Sequence, residues 1–221
     1  MKRFFIISCL LCIILPAAAQ QKYGGGFSLG IRTTSSLFTQ AGSPGMGVGG
    51  QFRLRVLRLI NTEWFADYIT TDIGGIGHRT DAHIGWSVMF YLHEPEVFSS
   101  SPGDAAGTPK KISYRLFTPY FLAGHCFDYT WIRSAKPFPY TEAKRWSSAV
   151  QAGAGVHLNL GTRTDLSFSA QYMMHLGDDV HAHIEDVQGI KTLHIEEHKG
   201  FSPEGHLLLT LSANFRIADL W

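Results

Sequence analysis

The chain has 221 residues, 19 basic against 18 acidic side chains (formal charge +1), 45% hydrophobic and 13% aromatic residues, 23 glycines and three cysteines. A near-neutral balance without a basic patch argues against a nucleic-acid binder, and so few cysteines exclude a disulfide-built scaffold. The length suits one domain.

Met1, Lys2 and Arg3 give a short positive start, residues 4–15 (FFIISCLLCIIL) an apolar run, and PAAAQ a small-residue close. This is the pattern of a secretory signal peptide over 1–19, cleaved after Ala19. The run is shorter than the roughly 20 apolar residues of a transmembrane helix. Cleavage removes Cys9 and Cys12, so the exported domain, 20–221, keeps Cys126 and cannot form an internal disulfide.

From residue 26 the hydrophobic period is two. Phe27, Leu29 and Ile31 alternate with Gly26, Ser28, Gly30 and Arg32; Met46, Val48, Phe52, Leu54 and Val56 oppose Gly47, Gly49, Gln51, Arg53 and Arg55. Next, Trp64, Ala66 and Tyr68 oppose Glu63 and Asp67, and Ala82 through Leu92 oppose Asp81, His83, Gly85, Ser87, Met89 and Tyr91. A fifth run, ISYRLFTPYFLAGHCFDY, is apolar on both sides and leaves its facing open. The sixth sets Val150, Ala152, Ala154, Val156 and Leu158 against Gln151, Gly153, Gly155, His157 and Asn159. The seventh sets Leu166, Phe168, Ala170, Tyr172 and Met174 against Asp165, Ser167, Ser169, Gln171 and His175. The last sets Leu207, Leu209, Leu211, Ala213, Phe215 and Ile217 against His206, Thr210, Ser212, Asn214 and Arg216.

Eight such runs, each near the roughly 9–11 residues of a membrane-crossing strand, predict an all-β fold: an antiparallel eight-stranded up-and-down transmembrane β-barrel. A soluble ligand-binding barrel, with the apolar face inward, is the alternative. Three features favour the membrane. The polar faces are rich in glycine, which suits a crowded lumen and gives a wet surface nothing. They carry both charge signs, predicting a lumen polar network of Arg53, Arg55, Glu63, Asp67, Asp81 and His83. Trp64, Trp86, Trp146, Tyr68 and Tyr172 fall in the outward registers, as interfacial belts require. With the N-terminus in the periplasm, residues 35–45, 72–79, 129–143 and 177–203 are outer loops, and 57–61, 93–111 and 161–163 are inner turns. The Pro/Gly/Ser-rich 93–111 is long for an inner turn, so either it is unusual or the strand count is off by one there.

The ending AAAQ, the segment PYFLAGHCFDY and the closing strand GHLLLTLSANFRI resemble small outer-membrane β-barrel proteins of Bacteroidetes-type Gram-negative bacteria, labelled porin-like or PorT-like, on an OmpA/OmpX-type barrel. The resemblance spans the whole mature chain. It implies the cell outer membrane, with membrane lipid and the barrel-insertion machinery as partners. Phe215, Ile217 and Trp221 resemble the terminal aromatic register which that machinery reads; Asp219 interrupts it. The family implies no single activity.

No cofactor and no catalytic residue is assigned. A lipid-modifying outer-membrane enzyme, the second alternative, needs a serine beside a histidine, commonly as His-x-Ser; no His-x-Ser occurs, and His78-Arg79-Thr80 comes nearest. Asp81 and His83 are the best pair for protease chemistry, but a lumen hydrogen-bond network accounts for them. An interior nearly filled by side chains argues against free diffusion. The expected role is therefore structural, adhesive or in assembly, with an unknown partner reached through loop 177–203. Within that loop, HAHIED and TLHIEEH alternate around VQG and predict a hairpin extending the barrel. It reads as a solvated charged hairpin. Zinc binding by His181, His183, His194 and Glu196 is the alternative.

Overall fold

The computed structural model describes residues 25–37, 44–99, 111–135, 141–177, 179–187, 189–198 and 205–220. The expected signal peptide and Trp221 lie outside them. In chain order the strands are β1 (Gly26–Leu37), β2 (Gly45–Arg55), β3 (Ile60–Ile73), β4 (Gly77–Tyr91), β5 (Glu96–Ser99), β6 (Lys111–Tyr114), β7 (Phe117–Ser134), β8 (Glu142–Asn159), β9 (Thr164–His175), β10 (Asp179–Val187), β11 (Ile190–His198) and β12 (Gly205–Asp219).

Eight of them close an antiparallel barrel in the order β1-β12-β9-β8-β7-β4-β3-β2. Each of the eight runs read from the sequence supplies one of these strands. Closure comes from β1, which pairs with β2 on one side and β12 on the other; Thr34, opposite Thr210, places the two hydroxyls 3.3 Å apart inside. A closed ladder leaves no edge, so every strand finds both neighbours without water.

Between β4 and β7, β5 and β6 form their own two-stranded sheet, so the barrel count stays at eight; residues 100–110 of the expected inner turn 93–111 lie outside the described residues. The loops 72–79 and 129–143 are shorter than the sequence reading drew them. The β3–β4 ladder runs to Ile73↔Gly77, and the β7–β8 ladder to Arg133↔Glu142. Between β3 and β4 the turn is closed by Gly74 and Gly75 at φ +57° and +71°, backbone that suits glycine. The Asp72 carboxylate accepts from the Gly75 amide at 2.9 Å.

Facing is uniform around the wall. Ile31 and Val48 are 71% and 69% exposed, and Trp64, Tyr68, Trp86, Trp146, Phe168, Tyr172 and Leu211 lie on the same outer surface. Arg32, Gln51, Arg53, Glu63, Asp67, Asp81, His83, Gln171 and Asn214 are buried inside. A barrel stable in water would show the reverse distribution, since an exposed apolar band of this extent is unfavourable there. It fits lipid around the wall and polar groups pairing within it. Strand β7, ambiguous in sequence, points Thr118, Tyr120, Leu122, Cys126, Asp128, Thr130 and Ile132 inward. Glycine permits close packing between strands: a Cβ on Gly49 would fall within the Asp67 carboxylate and the Ala66 carbonyl.

Candidate functional site

The interior lies between two ends, a terminal end where the Leu220 amide donates to the Gly25 carbonyl at 2.7 Å and an end bearing β10 and β11. Nearest the termini, Met89, Tyr91, Tyr120 and Leu122 pack together. Beside them lies the first ionic cluster. Arg53 bridges Glu63 at 2.8 Å and Asp165 at 2.9 Å, while Arg32 bridges Glu63 at 3.3 Å and Asp67 at 3.0 Å. Gln51, Ser167, Ser212 and Asn214 add hydrogen bonds to it, and the Arg32 guanidinium lies 4.5 Å from the Phe65 ring centre. Strand alternation places these groups: each is two residues from its inward neighbour on its own strand.

Phe65, Ile69, Cys126, Ala149, Met173 and Leu208 pack together inside, Phe65 lying between Glu63 and Asp67 along β3. A second cluster centres on Asp128, which meets Arg145 at 2.6 Å, His83 at 3.2 Å and His175 at 3.5 Å. Arg79 pairs with Asp81 at 2.9 Å, and Thr130 donates to Asp81 at 2.8 Å. Such dense pairing offsets the cost of burying charge, which is large for any unpaired member.

Of the six residues predicted as one network, Asp67 and His83 are cross-strand partners, so the two clusters adjoin. Arg53, Glu63 and Asp67 belong to the first cluster, and Asp81 and His83 to the second. Arg55 stands half-buried at the terminal end, its guanidinium donating to the Arg58 carbonyl at 3.2 Å. Asp128, Arg145, Arg79 and His175 were not singled out from sequence. Asp128 was hidden by the two-sided hydrophobicity of β7, although its two-residue spacing from Cys126 and Thr130 carried the information. At the terminal end a vestibule of about 80 Å³ lies beside Arg53, Arg55, Asn61, Tyr91, His157 and Asp165, room for a few waters.

The other end is covered by β10 and β11. The two arms pair from Asp179↔His198 to Val187↔Ile190, and Gly189 at φ +81° sits in the turn with its amide on the Asp186 carboxylate at 2.8 Å. This hairpin is a separate sheet and does not continue the barrel ladder as expected from sequence. The reason is its apolar face. Val180, Ala182 and Leu193, with Ile195, pack on Ile73, Ile132 and Ala143, the last inward-facing residues of β3, β7 and β8. Burying that face folds the hairpin over the mouth. Arg79 below donates to the Val180 carbonyl at 3.4 Å. The opposite face carries His181, His183 and Glu185 on one arm and Thr192, His194 and Glu196 on the other. His181 lies opposite Glu196 and His183 opposite His194. His181 is buried; His194 and Glu196 are exposed.

On the outer wall, Phe215 and Ile217 are exposed. A histidine and a serine also meet on this surface. His125 of β7 and Ser148 of β8 meet at 2.8 Å (Nε2 to Oγ), two residues along β8 from the exposed Trp146.

A closed eight-stranded barrel with an apolar outside, a paired ionic inside and one covered mouth defines the small outer-membrane barrel fold. Comparison with solved structures agrees. The chain is similar to a major outer membrane protein from Thermus thermophilus (TM-score 0.53, 11% identity, 86% of this chain and 99% of that one). It is similar to Neisserial surface protein A (TM-score 0.51, 10% identity, 88% and 98%). It is also similar to the attachment invasion locus protein Ail of Yersinia pestis, solved with the heparin analogue sucrose octasulfate (TM-score 0.50, 12% identity, 88% and 100%). At these identities the likeness is one of fold. No family model and no curated protein matches the chain.

Proposed function

We propose that this chain is an outer-membrane protein of the small Bacteroidetes type its sequence resembles, and that it acts as a closed, non-conducting anchor. Its role is structural, adhesive or in assembly, exercised by the parts displayed at the hairpin end. The observation that carries this reading is the filled lumen: buried ion pairs and the packed side chains of Phe65, Ile69, Cys126, Ala149, Met173 and Leu208 occupy it, and a hairpin packs on its rim. A conducting pore would need a continuous wet path between these side chains. The named roles of two neighbours, a surface protein and an attachment and invasion protein, are of the same display kind. Membrane fractionation should recover the chain in the outer membrane with heat-modifiable gel migration. In planar bilayers it should give no steady conductance above the lipid background; well-resolved channels would overturn the reading.

A second reading rests on the His125–Ser148 contact. A histidine hydrogen-bonded to a serine on an apolar face is placed to act on the acyl esters of surrounding lipid: the histidine takes the proton as the serine oxygen attacks the ester carbonyl, then gives it to the departing lipid alcohol, and water removes the acyl group left on Ser148. In this reading the pair comes from adjacent strands, so a search for His-x-Ser along one strand would not find it. Mass spectra of envelope lipids from cells carrying the wild type or Ser148→Ala decide it. Identical profiles leave the pair as mutual hydrogen-bond satisfaction.

A further inference from the structure

We propose that the outward face of the β10–β11 hairpin is a binding site for a zinc-class divalent transition metal, with His183, His194 and Glu196 as ligands. The inference goes beyond the anchoring role and does not depend on it.

The register creates the site. His183 and His194 are direct cross-strand partners, and their rings lie 5.1 Å apart between centres. Glu196, two residues along from His194, falls on the same face because side chains alternate. One donor atom from each of the three lies within 4.8 Å of the others. A tetrahedral zinc site holds ligands at roughly 2.0–2.2 Å, hence about 3.3 Å from one another. Closing the difference takes side-chain rotation of about an ångström per ligand and no backbone movement.

The surroundings favour a metal over a merely solvated patch. His194 turns Nε2 toward Glu196 (3.8 Å) and Nδ1 toward Glu185 (3.6 Å). A ligating imidazole with a carboxylate on its other nitrogen is the arrangement that fixes tautomer and ring orientation in metal sites. The face is also preorganised. Val180, Ala182, Leu193 and Ile195 hold the other side of the hairpin on Ile73, Ile132 and Ala143, so the arms are not free to splay. Two imidazoles and one carboxylate suit zinc, nickel or copper and poorly suit calcium or magnesium, which select oxygen. Three protein ligands leave a fourth position open to water or to a donor from a partner. A metal here would cross-link β10 to β11 where no disulfide can form, Cys126 being buried in the barrel.

The test is isothermal titration of zinc chloride into the tag-free full chain refolded in detergent. Saturable heat is expected at a stoichiometry near one, with excess calcium failing to compete. His183→Ala and His194→Ala should each weaken binding at least about tenfold, and Glu185→Gln by about tenfold through loss of the orienting carboxylate. Heat-modifiable migration of every variant shows that its barrel has formed. Should an alanine variant fail that check, His183→Asn and His194→Asn replace it with side chains that remain polar. Absence of saturable heat in the wild type would overturn the proposal. So would zinc binding undiminished in the His183→Ala/His194→Ala double variant.

Discussion

The barrel wall and the hairpin are built from the same alternating pattern with opposite sign. Along β2, Val48 and Phe52 are exposed while Gln51 and Arg53 are buried. Along β10 and β11, Val180, Ala182 and Leu193 are buried while Glu185, His194 and Glu196 are exposed. Period two fixes only that two faces differ; the medium decides which one turns inward. Lipid around the wall accepts the apolar face and leaves polar groups to pair inside. Water around the hairpin sends its apolar face down onto the rim.

The largest effect should come from breaking the interior of the wall. Arg53→Met leaves Glu63 and Asp165 without the guanidinium that now meets them at 2.8 and 2.9 Å. Loss of one partner from a buried cluster costs about 3–5 kcal/mol, read as a lowered urea midpoint of the refolded barrel in vesicles. Adding Glu63→Gln and Asp165→Asn should recover much of the loss. An unchanged midpoint in Arg53→Met would mean that the lumen charges do not hold the barrel.

Next is the outside of the same wall. Val48→Arg moves a cation onto the apolar surface, where the cost near the middle of a bilayer is about 2–4 kcal/mol. In a water-soluble barrel this highly exposed position would accept arginine freely. Equal stability of the variant and the wild type in vesicles would therefore contradict the inside-out assignment itself, and with it the contrast between wall and hairpin.

Much of this contrast was legible in the sequence, and the exceptions have physical reasons. The alternation in β1–β4, β8, β9 and β12 gives facing directly because one side is charged or glycine-rich. Strand β7 resists because Leu122, Cys126 and Ile132 line the lumen while Phe121 and Phe127 line the exterior, so both faces are apolar. The pairing of lumen charges was not legible, since it depends on which strands become neighbours and on their register. Arg53 reaches Asp165 across 112 residues only because β12 lies between β1 and β9 after closure. The hairpin itself was readable from alternation around VQG, but its docking on the mouth was not. That docking needs Ile73, Ile132 and Ala143 to form an apolar rim, and they come from three strands.

A smaller and local effect is expected at the dock. Leu193→Ala removes part of the contact with the rim, at a cost of about 2 kcal/mol. Because the hairpin is a separate sheet, the loss should appear as faster proteolytic nicking within 179–198 while heat-modifiable migration stays unchanged. Simultaneous loss of hairpin and barrel would show that the two are one cooperative unit.

The smallest effect is expected where the wall emerges from its apolar band. Lys144 and Glu142 meet at 2.8 Å, the same separation as Arg53 and Glu63. Their side chains are 49% and 33% exposed, against 4% and 7% for the buried pair. Water screens the outer pair and solvates either partner left alone, so geometry of equal quality is worth far less there. Lys144 also lies 5.3 Å from the Trp131 ring centre, a contact that water weakens in the same way. Lys144→Met should cost no more than about 1 kcal/mol in the same urea unfolding. A loss comparable with that of Arg53→Met would mean that β7 and β8 are shielded from water well beyond the aromatic residues Tyr129 and Trp146, whose tilted rings lie 5.0 Å apart on this part of the wall. The apolar band would then extend further toward the hairpin than the exposed lysine and glutamate indicate.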